Sequence, residues 1–73
     1  MIILSRYSNR SLCYIQLQNY RKAEVDASKA ITYDALFVKA WLRRGICRIA
    51  RKDIQHAYFD LLRVGLIIIG NSD

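Results

Sequence analysis

Sliding the chain along itself by 34 residues lays like on like, and this internal period constrains the fold more than any other feature. Identities fall at Arg10/Arg44, Cys13/Cys47, Ile15/Ile49, Ala23/Ala57 and Asp26/Asp60. Similar residues pair at Leu4/Val38, Tyr7/Trp41, Ser11/Gly45, Leu12/Ile46, Asn19/Asp53, Tyr20/Ile54, Lys29/Arg63 and Ala30/Val64. Small residues match small ones and large apolar residues match large ones. The agreement therefore follows packing requirements, and each period reads as one structural unit.

Within each unit the apolar residues recur at helical spacing. The first helix is expected over about Leu4 to Leu17, with Tyr7, Tyr14 and Leu17 on one stripe. Asn19 is placed to cap the second helix, which carries Tyr20, Ala23, Ala27, Ala30 and Ile31. A third helix is expected from Val38 to Arg51, with Trp41, Gly45 and Ile49 inward. Asp53 is the matching cap for a fourth, lined by Ile54, Ala57, Leu61 and Val64. The connections at Gln18-Asn19 and Lys52-Asp53 are short enough to force antiparallel hairpins. The absence of proline and the presence of only three glycines oppose a turn-rich β domain. The fold class is all-α, two tandem antiparallel helical hairpins.

Charge and cysteine content narrow the function. Twelve basic residues against six acidic leave a net charge of +6, with Arg43, Arg44, Arg48, Arg51 and Lys52 crowded together, which favours acidic partners. No apolar run approaches the ~20 residues of a membrane span. The opening Met1-Ile2-Ile3-Leu4-Ser5 lacks the basic region and length of a secretory signal. Two cysteines without a dense framework suit a reducing, cytoplasmic setting. Cys13 and Cys47 lie one period apart and are expected as equivalent small buried packing residues. With a solitary His56 they make neither a zinc site nor an oriented nucleophile, so no cofactor, metal or catalytic group is expected.

Trp41-x-x-x-Gly45 followed by Ala57 and Leu61, with Tyr7, Ser11, Tyr14, Tyr20, Ala23, Ala27 and Ala30 at the matching places, resembles the tetratricopeptide repeat family. The resemblance covers about Leu4 to Val64. It implies a partial tetratricopeptide domain over residues 1–73, with one repeat at about 4–37 and a second at about 38–71. The proline that usually closes a repeat is replaced by Ala35 and Ile69, and Arg48 stands where an aromatic residue is usual.

One subclass is closer still. Tyr7-Ser8-Asn9-Arg10-Ser11 resembles the second repeat, and Val38-Lys39-Ala40-Trp41-Leu42-Arg43-Arg44-Gly45 the third repeat, of co-chaperone domains that clamp the acidic C-terminal tails of heat-shock chaperones. The resemblance maps the clamp asparagine onto Asn9, the lysine onto Lys39 and the arginine onto Arg43. Lys39 and Arg43 are one helical turn apart and share a face. Asn9 and Arg43 are one period apart, and so equivalent on stacked repeats. Leu12, Ile15 and Ile46 are expected to add shallow apolar contacts beside them. The resembled family carries a further lysine and asparagine on a preceding repeat and a covering terminal helix, so the chain reads as a fragment holding part of a clamp.

Two other readings compete. In one, Asn9, Lys39 and Arg43 are an ordinary solvated face on a structural fragment that packs against further repeats or a partner helix. In the other, the chain is a basic nucleic-acid-binding helical module, which no nucleic-acid-binding signature accompanies. Arg44, Arg48 and Arg51 are expected on a solvated outer or inter-repeat face, and Tyr7, Tyr14, Tyr20 and Trp41 in packing. The apolar stretch from Val64 to Ile69 ends the fourth helix, loosened by Gly65, and left uncovered it invites self-association through Leu66 to Ile69.

Overall fold

The computed structural model describes residues 2–70. It comprises α1 (Ile2–Gln16), α2 (Tyr20–Tyr33), α3 (Val38–Ala50) and α4 (Ile54–Gly70), with no strand among the described residues. α1 packs on α2 and α3 on α4, giving the two expected hairpins. α2 and α1 both reach α3, which is thereby packed by every other helix, whereas among the described helices α4 rests on α3 alone. Residue 71, at the expected end of the second repeat, and Met1 lie outside the described residues.

Both hairpins turn by the same device. The Asn19 N–H returns to the Tyr14 carbonyl at 2.8 Å and the Gln18 N–H to Ile15 at 2.9 Å. One period on, the Asp53 N–H returns to Arg48 at 2.7 Å and the Lys52 N–H to Ile49 at 2.9 Å. This paired closure needs one left-handed residue, supplied by Gln18 (φ 61°) and Lys52 (φ 64°). A side chain there crowds the next carbonyl at a cost of ~1–2 kcal/mol, which glycine avoids. Gln18→Gly and Lys52→Gly should therefore each stabilise the chain by about 0.5–1 kcal/mol once glycine's extra unfolded-state entropy is subtracted. Urea titration followed by circular dichroism reads the gain, and the double variant should show both gains added.

Asn19 caps α2 as expected, its Oδ1 accepting the Lys22 N–H at 3.3 Å. Asp53 takes the matching place before α4, and its side chain also meets the His56 ring. Its carboxylate is taken by His56 Nδ1, at 2.9 and 3.0 Å, while its backbone carbonyl accepts the Ala57 N–H. The bond to the ring draws the Asp53 carboxyl below its ordinary range. Between the hairpins, Asp34 closes a short turn by accepting the Leu36 N–H at 2.9 Å, and the Trp41 indole donates to the Ala35 carbonyl at 2.7 Å.

The core is built from small residues. Ala23, Ala27, Ala30, Ala40, Cys47 and Ala57 are buried, with Leu4 packed on Ala30 and Ala40 beside Tyr7, Ile31 and Phe37. Small side chains bury little area each, but they let helix axes approach closely. Ser11 does so between α1 and α2, donating to the Ala23 carbonyl at 2.7 Å. Its equivalent Gly45 does so between α3 and α4, where a Cβ would meet Leu61 Cδ2 at 2.9 Å.

Several expected core positions prove exposed. Cys13 is exposed while Cys47 is fully buried. The side of α3 bearing Cys47 lies near Glu24 of α2, whereas no described helix covers the matching side of α1. Burial pushes the Cys47 thiol up to about 11. Leu17 lies beyond the end of α1, and Ile49 and Ile54 face outward. Ile49 falls on the outer stripe of α3 with Leu42 and Ile46, seven and three residues away. Ile54 opens α4 at its exposed first turn. Gly65 does not loosen α4, which runs on to Gly70.

Repeat-equivalent ion pairs tie each hairpin. Arg10 grips Asp26 through Nε (2.7 Å) and Nη2 (2.9 Å), and Arg44 grips Asp60 through Nε (3.1 Å) and Nη2 (3.0 Å). The arginine stripe of α3 is an inter-repeat face rather than a solvated one. Arg48 joins Asp60 (2.8 Å) to Glu24 of the first repeat (3.3 Å), Arg44 also donates to Ser28, and Arg51 closes on Glu24. Tyr7, Tyr14, Tyr20 and Trp41 are half-buried, and cations cushion the repeat-equivalent pair among them: Arg10 and Lys29 lie over Tyr7, and Arg44 and Arg63 over Trp41.

Candidate peptide-binding surface

α1 and α3 lie against one another and carry all six candidate binding residues. Asn9 and Lys39 are exposed, Arg43 is half-buried, Leu12 and Ile46 are exposed, and Ile15 is half-buried. Arg43 decides the geometry. Its Nη1 donates to the Ser8 carbonyl at 2.5 Å and also to the Ser8 hydroxyl, bridging α3 to α1. Ser8 is 1% exposed, so this is a fixed anchor rather than a surface contact. It brings Arg43 against the turn of α1 that carries Asn9. Lys39 stands one turn earlier on α3, on the same side.

The anchor uses only one nitrogen of the guanidinium. Among the described residues the Nε and Nη2 edge of Arg43 has no partner. That edge is the one with which Arg10 and Arg44 each hold a carboxylate by two parallel bonds. Burial lowers the Arg43 pKa from its ordinary value, because the desolvated cation lacks a counter-charge. A guanidinium far above neutrality stays charged regardless, so the site is a fixed cation with an open fork.

Against these observations the known relatives can be read. Over 59 residues, 78% of this chain, it is 46% identical to protein unc-45 homolog B of Xenopus laevis. Over 66 residues, 90% of the chain, it is 45% identical to RNA polymerase II-associated protein 3 of Xenopus tropicalis. Over 61 residues, 84% of the chain, it is 34% identical to human sperm-associated antigen 1. These are tetratricopeptide-containing proteins, and their likeness covers both halves of the 34-residue period. The chain belongs to a tetratricopeptide-like family. It spans 6%, 10% and 7% of the lengths of those three relatives. No family model matches the chain, and no solved structure does.

A tetratricopeptide-like pair of this kind is a protein-interaction module. Among the described residues no cluster of three or more histidine, cysteine, aspartate or glutamate side chains could hold a metal ion. No described helix is long and apolar enough to cross a membrane.

The structure adds three residues that the sequence reading did not place on this surface. Ser8 anchors Arg43 from 35 residues away. Leu42 and Ile49 join Ile46 in an exposed apolar strip beside Lys39 and Arg43, at 42%, 47% and 40% exposure. The strip was legible in the 3.6-residue spacing of Leu42, Ile46 and Ile49, since an outward apolar stripe and an inward one share that spacing. The anchor was not, because Ser8 pairs with Leu42 under the period and so carries no repeat signature.

Proposed function

We propose that the chain binds the acidic C-terminal peptides of heat-shock chaperones in the cytoplasm, with Asn9, Lys39 and Arg43 holding carboxylates. The observation that carries this reading is the open Nε/Nη2 edge of Arg43, pinned from behind by buried Ser8. An arginine already held in place loses little side-chain freedom on binding, so more of each charge-assisted bond appears as affinity. Lys39 adds a second, movable positive charge and Asn9 an amide donor. Leu12, Ile15 and Ile46 offer apolar contact to the residues preceding the peptide's end. The six uncompensated positive charges of the chain favour an acidic ligand at longer range.

The test is fluorescence anisotropy with a labelled peptide ending Glu-Glu-Val-Asp, as the free acid and as its C-terminal amide. Amidation removes one carboxylate and should weaken binding by about tenfold or more, the effect of losing one charge-assisted hydrogen bond of ~1.5–3 kcal/mol. Lys39→Ala is the matching variant, because Lys39 is exposed and its loss leaves the fold intact. It should weaken the free acid more than the amide. Equal binding of both peptides to a helical sample would sink the reading and leave the chain as packing scaffold.

A further inference from the structure

The candidate peptide-binding surface holds two cations, Lys39 and Arg43, and so accounts for only part of the net charge of +6. A second concentration lies along α2. Arg21 and Lys29 are exposed there, and Arg51 of α3 joins them around an open groove of about 340 Å³. Glu24, which lines the same groove, is already held by Arg48 and Arg51. Arg21 and Lys29 meet no carboxylate among the described residues, and the Tyr7 ring beneath Lys29 leaves its charge uncompensated. The fold has no need of a cation at Arg21, since its equivalent on α4 is Gln55 and both hairpins form.

The groove is separate from the candidate surface. Arg44, Arg48 and Arg51 reach α2 from a side of α3 roughly 160° around the helix from Lys39, Leu42, Arg43 and Ile46, at 100° per residue. Its chemistry narrows the occupant. Arg21 and Lys29 lie about 12 Å apart along α2 at 1.5 Å per residue, a spacing that suits two anionic groups rather than one. Val25, 50% exposed, stands midway between them on the same stripe and offers an apolar contact. No aromatic ring lines the groove, so a nucleic-acid base finds no stacking platform there. An extended polypeptide meets the pattern. Its alternate residues share a face, so acidic residues four apart, with an apolar one between them, present carboxylates about 13 Å apart.

We propose that α2 carries a second docking surface, which takes an extended acidic segment of a partner protein with an apolar residue midway between two carboxylates. The carboxylates meet Arg21 and Lys29, and the apolar side chain covers Val25. Arg51 holds Glu24 through Nη1, which leaves its Nε and Nη2 edge to donate to a backbone carbonyl of the segment. The segment needs no free C-terminus, in contrast to the ligand proposed for the α1/α3 surface, and the two surfaces can be occupied together. Each contact is solvent-exposed and weak, so the complex forms at high micromolar concentration or above and loosens as salt is added.

Nitrogen-15 NMR titration with the peptide acetyl-Glu-Ser-Leu-Ser-Glu-amide, which lacks a terminal carboxylate, should move the amide signals of Arg21, Val25 and Lys29 most. Its glutamine counterpart, acetyl-Gln-Ser-Leu-Ser-Gln-amide, should leave them in place. Arg21→Gln/Lys29→Gln should weaken binding about fivefold or more, the loss of two exposed ion pairs, while circular dichroism shows unchanged helix. Lys39→Ala should not weaken it. Shifts gathered around Lys39 and Arg43, equal binding by the α2 variant, or signals unmoved up to the solubility limit of the peptide would each overturn the proposal. Tighter binding of a trinucleotide RNA, which carries the same two negative charges, would overturn it as well and assign the face to nucleic acid.

Discussion

Asp60→Asn should unfold most of the chain at 25 °C, whereas Asp26→Asn, its exact repeat equivalent, should leave it folded with a lower midpoint. The two substitutions are alike in shape and in the pairing they disturb. They differ in what they leave behind. Asp60 is 2% exposed and neutralises two guanidiniums, Arg44 at 16% and Arg48 at 18% exposure. Arg10, the partner of Asp26, is half in water. Removing one member of a buried ion pair costs about 3–5 kcal/mol, because the charge left behind has neither water nor partner. Glu24 relieves Arg48 in part, yet Glu24 already serves Arg51. A chain of this size has little stability to lose, since small domains bury a smaller share of their surface and their cores here are largely alanine. Circular dichroism at 222 nm with urea titration compares the pair. Equal losses for the two variants would mean that the Asp60 network is solvated and no stronger than the outer pair.

That contrast also marks how far the sequence carried. The period aligned Arg10 with Arg44 and Asp26 with Asp60, and both pairs form with the same two nitrogens on the same two oxygens. Hairpin architecture was legible for the same reason, as small residues at Ser11, Ala23, Gly45 and Ala57 leave room for close helix packing in both units. What a period cannot report is how many neighbours each copy has. Cys13 and Cys47 are identical letters at equivalent places, yet one is exposed and the other buried, because α3 lies between helices and α1 does not. The left-handed turns were hidden for a different reason. Gln18 and Lys52 are neither glycine nor asparagine, and only the paired backbone bonds around them compel the conformation. At the candidate surface, resemblance supplied Asn9, Lys39 and Arg43. The Ser8 anchor came from a contact 35 residues apart that no local pattern encodes.

Arg43→Lys should weaken binding of the free-acid peptide by about 10–100-fold while leaving the helix content unchanged. Lysine keeps the charge, so a loss of this size would separate geometry from electrostatics. A guanidinium can donate through Nη1 to Ser8 and through Nε and Nη2 to a carboxylate at once, because its donors are fixed in one plane. An ammonium has three donors on a single atom and cannot do both in that arrangement. One charge-assisted bond lost, at ~1.5–3 kcal/mol, sets the expected range. Arg43→Ala is the poorer probe, since it also strips the buried Ser8 hydroxyl of its partner and should cost the fold about 1–3 kcal/mol. Ser8→Ala completes the set: it removes the hydroxyl but keeps the Ser8 carbonyl as an acceptor, so Arg43 is held less firmly and affinity should fall only a few-fold while the preference for free acid over amide persists. Anisotropy with the two peptides, run on all three variants after their helix content is checked, distinguishes these cases. If Arg43→Lys bound the free acid as tightly as the parent, the fork would not be the recognition element, and Arg43 would be a strut between α3 and α1.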